Sequence, residues 1–167
     1  MRGVWPCVVL VAVLAACAPA LNWRQVPLDR ITVLLPCKPD RAQRSLRLGE
    51  RDVTISMAGC EADGAIFAVS HMHQPDATSA TAVAREWRTA TLANIRATSV
   101  VEAAMAPVAG ATAATLLSAH GMRPDAKEVH AQLAWLVAGD DVFHVAAYAS
   151  RLRPEQTDSL FSDIKIQ

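Results

Sequence analysis

The 167-residue sequence predicts an α+β domain, an antiparallel β-sheet of about six to eight strands with one long inserted helix and a C-terminal helix. Three observations carry that expectation. Short apolar or alternating runs recur between Gly, Asp and Pro punctuation. One long segment after Pro75 has its apolar residues at helical spacing. Pro154 opens a final polar-apolar segment at the position where proline suits a helix start.

Taken in order, "RITVLLP" from Arg30 is a buried-type strand that Pro36 ends. "RAQRSLRL" is polar and edge-like, turning at Leu48-Gly49-Glu50-Arg51. "DVTISMA" puts Val53, Ile55 and Met57 on one side and Thr54 and Ser56 on the other. A turn at Glu61-Ala62-Asp63-Gly64 leads into "AIFAVSHMH", apolar on both faces and so expected to be central. Asp76 or Thr78 caps the helix "SATAVAREWRTATLANI", whose stripe is Ala80, Ala84, Trp87, Thr91 and Ile95. "SVVEAAMAPV" is ambiguous, and "TAATLLSAH" suits either a strand or a short helix. Gly121 to Asp125 reads as a turn. "EVHAQLAWLVA" alternates and turns at Gly139-Asp140-Asp141 into "VFHVAAYAS", the clearest hairpin of the chain. "PEQTDSLFSDI" is the last helix.

Lys+Arg and Asp+Glu both number 16, so no net field favours nucleic acid. The stretch Arg24 to Arg51 leans basic without interleaved aromatics, as a solvated strand face does. A surface that meets anionic lipid or cell-wall polymer is the sharper reading of it.

The first residues, "MRGVWPCVVLVAVLAAC", have a positive start, a short apolar core from Val4 to Ala16 and small residues before Cys17, the layout of a secretory signal peptide. Leu14-Ala15-Ala16-Cys17 resembles the bacterial lipobox. That resemblance implies diacylation of the Cys17 thiol, cleavage before it and acylation of the new amino group. Ala18 rather than Asp follows, as in the pattern sorted to an outer membrane. An uncleaved anchor from Val4 to Leu21 is the competing reading, with Pro6 and Pro19 interrupting it. The expected organisation is a signal peptide at 1–16, a lipidated N-terminus and tether at 17–29 and a single domain at 30–167.

Of four cysteines, Cys7 goes with the leader if that is removed, and Cys17 is then the lipid anchor that the lipobox resemblance implies. Cys37 and Cys60 remain in an oxidising compartment, where an even pair is most simply a disulfide. A metal or redox site is the rival reading, without a CxxC or a nearby Cys/His cluster to support it.

The element order also resembles PsbP-like domains, α/β/α sandwiches around an antiparallel sheet. Pro36, Lys38 and Pro39, Gly110 before "ATAATLLSAHG", "AWLVAGDDVFHVAAYAS" and Leu160-Phe161 carry the likeness, which covers 30–167. More narrowly the chain is similar to uncharacterised proteobacterial lipoproteins with the same paired cysteines.

His71 and His73 are two apart on a strand and share a face, a spacing that suits two imidazoles on one ion. A third ligand would have to come from His120, His130 or His144, and the competing reading is a polar strand end. No nucleophile elbow, zinc-protease motif or phosphate loop occurs, and Asp140-Asp141 reads as turn chemistry. Trp87 and Trp135 read as core, or as the lining of a cleft between helix and sheet. The expectation is therefore a non-catalytic envelope protein without cofactor, held at a membrane by its lipid and facing the periplasm, which binds another envelope protein or serves assembly. A ligand- or metal-binding lipoprotein using the His71/His73 strand end is the alternative.

Overall fold

The computed structural model describes residues 20–167, and the expected signal peptide at 1–16, with Cys7, and the expected lipidation site Cys17 lie outside them. Ten strands and two helices follow one another: β1 (Arg24–Leu28), β2 (Ile31–Leu35), β3 (Asp40–Leu48), β4 (Arg51–Ala62), β5 (Ala65–His73), α1 (Ala77–Asn94), β6 (Ser99–Ala103), β7 (Ala113–Met122), β8 (Glu128–Ala138), β9 (Asp141–Ala149), α2 (Pro154–Ser162) and β10 (Lys165–Ile166). Seven strands form one antiparallel sheet in the order β3-β4-β5-β9-β8-β7-β6, and β1-β2-β10 form a second.

Three layers result. On one face of the large sheet, Ala80, Val83, Ala84 and Trp87 of α1 pack on Leu133, Trp135, Val137 and Val142. On the other face, Ile31, Val33 and Leu35 of the small sheet and Leu160 of α2 cover Phe67, Val69, Leu136, Phe143 and Val145. Both faces of the central strands are thus dry, which is why β8 is buried at every residue from Leu133 to Ala138 although its sequence alternates. β5 lies between β4 and β9, a central position as its two apolar faces require.

Asp76 starts α1: its backbone is extended, and its carboxylate accepts from the Ser79 N–H at 2.8 Å and from the Ser79 hydroxyl at 3.0 Å. The β4–β5 hairpin turns through Asp63 (φ 52°) and Gly64 (φ 72°), the left-handed pair that a two-residue hairpin loop needs. Asp63 also anchors α2. It accepts from the guanidinium of Arg153, and the buried Gln156 donates to its carbonyl oxygen at 2.9 Å.

Several expectations change. Residues 24–28, read as part of a tether, form β1, because Val26 and Leu28 bury themselves against the large sheet while pairing with β2. The folded unit therefore begins before Arg30. The expected single sheet is accompanied by the small one, whose strands β1 and β10 are too short for a periodic signal. "TAATLLSAH" is strand β7, which runs on to Met122, so the turn begins later than Gly121. At Gly121 any Cβ would collide with the carbonyl oxygen of Ile95, which accepts from the Met122 N–H at 2.6 Å.

Cys37, just beyond β2, and Cys60 in β4 are joined by a disulfide with Cα atoms 6.0 Å apart. It ties the small sheet to the large one beside Trp23 and Phe67, whose rings meet edge to face at 6.1 Å.

Candidate functional site

The sequence-selected histidines His71 and His73 do share a face, and they meet on one carboxylate. Asp141 is buried and holds three partners: His71 Nε2 at 2.8 Å and His73 Nδ1 at 3.0 Å from its Oδ1, and the Arg30 guanidinium at 3.0 Å from its Oδ2. The turn residues between β8 and β9 are Gly139 and Asp140, so Asp141 is the first residue of β9, opposite His73. Its side chain is thus a buried ionic centre rather than turn chemistry, which corrects the reading of the acidic pair.

Burial opposes the charge on Asp141, but donation by His71 and His73, supported by Arg30, outweighs it and holds the carboxyl below its usual range. The bond to Asp141, together with the nearby charge of Asp140, raises His73 above the ordinary imidazole value against a smaller desolvation effect. His71 stacks on Phe143, with ring centroids 5.0 Å apart. Its Nδ1 faces Asp29 Oδ2 at 3.3 Å, so both of its nitrogens are engaged by carboxylates.

A metal set drawn from both histidines is therefore not what the geometry provides. Among the described residues, the ligand atoms that converge are those of His73, Asp140 and Asp141, within 4.8 Å of one another. Asp141 already accepts three charged or polar donors, and an ion there would have to displace them. The arrangement works as an ion-pair centre that fastens the β2 turn to the β5 and β9 strand ends.

The three histidines considered as a third ligand lie elsewhere. His144 faces α1, between Trp135 (centroids 4.3 Å, stacked) and Trp87 (5.2 Å, edge-on), and its Nδ1 lies 2.9 Å from the Ala134 carbonyl oxygen. Burial drives its pKa down to about 4, partly opposed by that bond, so it is a neutral ring near neutral pH. His120 and His130 pair across β7 and β8. Their level on the sheet is that of Ala149, whereas His71 stands opposite Phe143, six residues away along β9.

Trp87 and Trp135 are buried core residues, and Trp87 and His144 also line a cleft of about 410 Å³ beneath the C-terminal half of α1. The chemistry missed from sequence is the role of Asp141, whose partners are the buried His71 and the exposed His73 of β5 and the half-exposed Arg30 of the β1–β2 turn. Arg41, Arg44 and Arg47 of β3 are solvent-exposed at the sheet edge, with Arg41 and Arg47 on one face and Arg44 on the other, so part of the basic lean lies on this exposed strand while Arg30 is held by Asp141. No protein-family model matches this chain, and no curated protein matches it.

Proposed function

We propose that this chain is a lipid-anchored bacterial envelope protein with a PsbP-like domain, and that it acts as a non-catalytic binding or assembly factor. Its disulfide supports an oxidising compartment. The observation that carries the binding role is the contrast between the two edges of the large sheet.

β3, at one edge, is guarded by three arginines, the usual protection against unwanted strand pairing. β6, at the other, is exposed at all five residues, with Val100 at 40% and Val101 at 60% exposure. Its one acidic side chain, Glu102, is drawn 3.0 Å from Arg88 of α1. The phase of this edge follows from the ladder. The His120 carbonyl accepts from the Thr98 N–H, so His120 turns its backbone groups toward β6. Its register partner Ser99 therefore faces β7, as do Val101 and Ala103. Val100 and Glu102 then turn their N–H and C=O groups outward, ready to pair with an extended segment of an envelope protein as an eighth strand.

Val100→Pro tests this, because proline removes an outward N–H and leaves the β7 ladder intact. A photo-crosslinker at Val101 is expected to trap one envelope protein, and the same probe at Arg44 to trap none. V100P should weaken that adduct at least about tenfold while shifting the thermal midpoint by only a few degrees, given about 1 kcal/mol per edge hydrogen bond and the added ring clash. Equal trapping at both edges, or an adduct that survives V100P, contradicts the proposal.

A further inference from the structure

We propose that His120 and His130 form a binding site for a divalent first-row transition-metal ion, with Cu²⁺ held most tightly. Four observations lead there, and none depends on the lipid anchor or on strand capture at β6.

The first is register. His120 of β7 and His130 of β8 are direct cross-strand partners. The second is the phase of the pair. The Val137 carbonyl accepts from the Thr112 N–H, which turns the backbone groups of Val137 toward β7. Alternation along β8 then turns those of His130 the other way, toward β9, just as those of His120 point to β6. The two histidines form a non-hydrogen-bonded pair, the arrangement that brings side chains closest, with Cβ atoms about 4.5–5.5 Å apart.

The third observation is the rings themselves. Their centroids are 4.5 Å apart and the planes are tilted by 33°. His120 Nε2 is buried and has no hydrogen-bond partner among the described residues. A buried polar atom without a partner calls for an explanation, and a role as a metal ligand is one of the few available. The fourth is access. Both histidines line a groove of about 400 Å³ between the sheet and the start of α2, whose other polar lining includes Ser118, Gln132, Asp158 and Arg153, the last with its guanidinium held by Asp63 and Glu155.

Two imidazole nitrogens that bind one ion at about 2.0–2.1 Å each must lie about 3 Å apart, and Cβ atoms at the separation above allow this with a turn of either ring. Water or the Asp158 carboxylate, which lines the same groove, would fill the remaining positions. Neutral imidazole is a good ligand for both copper and zinc, and among the divalent ions Cu²⁺ stands highest in affinity. The site is distinct from His73, Asp140 and Asp141 at the other end of the sheet, where the carboxylate is already occupied by donors.

Titration of tag-free, chelator-treated full-length protein with Cu²⁺, read by calorimetry and by electron paramagnetic resonance, tests the assignment. One ion per chain with a two-nitrogen signature is expected. His130→Gln, at an exposed position that leaves the core intact, should weaken binding on the order of 100-fold through loss of chelation. His120→Gln should do the same, and His73→Ala should change affinity by less than about twofold. Copper binding that survives H130Q, a spectrum that collapses with H73A instead, or no binding to the wild-type chain overturns the proposal.

Discussion

Converting Cys37 and Cys60 together to serine is expected to lower the stability of the domain by about 3 kcal/mol, the loop-closure entropy of a bridge spanning 23 residues in the chain-entropy model. For a unit of this size that is a fall of roughly 10 °C in the thermal midpoint. The bridge lies at the seam between the two sheets, so the loss should be local as well as global. Val33 and Leu35 are held against Phe67 and Val145 partly because the chain leaving β2 is tethered to β4. Amide exchange in β2 should rise in the double variant, and more than exchange in β8, whose neighbours β7 and β9 remain in place. Chemical denaturation with and without reductant checks the magnitude. A reduced protein as stable as the oxidised one would contradict the assigned role.

The second large effect is an acid limb in the stability that belongs to His144. Its folded-state pKa is depressed to about 4, so between about 6.5 and 4 the unfolded chain takes up a proton that the folded one refuses. Stability is full above about pH 6.5 and falls by about 3 kcal/mol as the pH drops to about 4. His144→Phe keeps a planar ring against Trp135 and Trp87 but gives up the Nδ1 bond to the Ala134 carbonyl, which keeps its ladder partner Val145, at a cost of about 1 kcal/mol near neutrality. Stability curves of variant and parent should therefore cross, with the variant ahead near pH 4.5. Parallel curves would show that burial of His144 is not the source.

Two other groups act in different windows. The depressed carboxyl of Asp141 stabilises the fold above its unfolded value near 4, and that support is lost as pH falls through its lower folded value. The raised His73 behaves with the opposite sign. Its contribution is complete below about 6.5 and is lost as pH rises through the folded value.

Much of this architecture was legible in local pattern. The hairpin around Gly139-Asp140, the cap at Asp76, the edge character of "RAQRSLRL" and the helix at Pro154 are each written in residues close together in sequence. The cysteine pairing followed from elimination rather than from geometry. What remained hidden is long-range. β10 has two residues and exists only because β2 offers it an edge. Val26 and Leu28 carry no period of their own until a sheet lies beneath them.

The same limit applied to the candidate sites. The spacing of His71 and His73 placed them on one face, but Asp141 became their shared partner only through the register of β5 with β9. His120 and His130 looked like unrelated histidines because their contact depends on the pairing of β7 with β8. Helical and strand periods report which way a side chain points, not which distant residue it will meet.

Intact-mass analysis of the native protein, extracted from membranes without reductant, bears most directly on the idea of a lipid-anchored, disulfide-stapled envelope protein. The expected mass is that of a chain beginning at Cys17, carrying its acyl groups and lacking two hydrogens at Cys37 and Cys60. A chain that still begins at Met1 without acylation, or one with both of those thiols free, would contradict it.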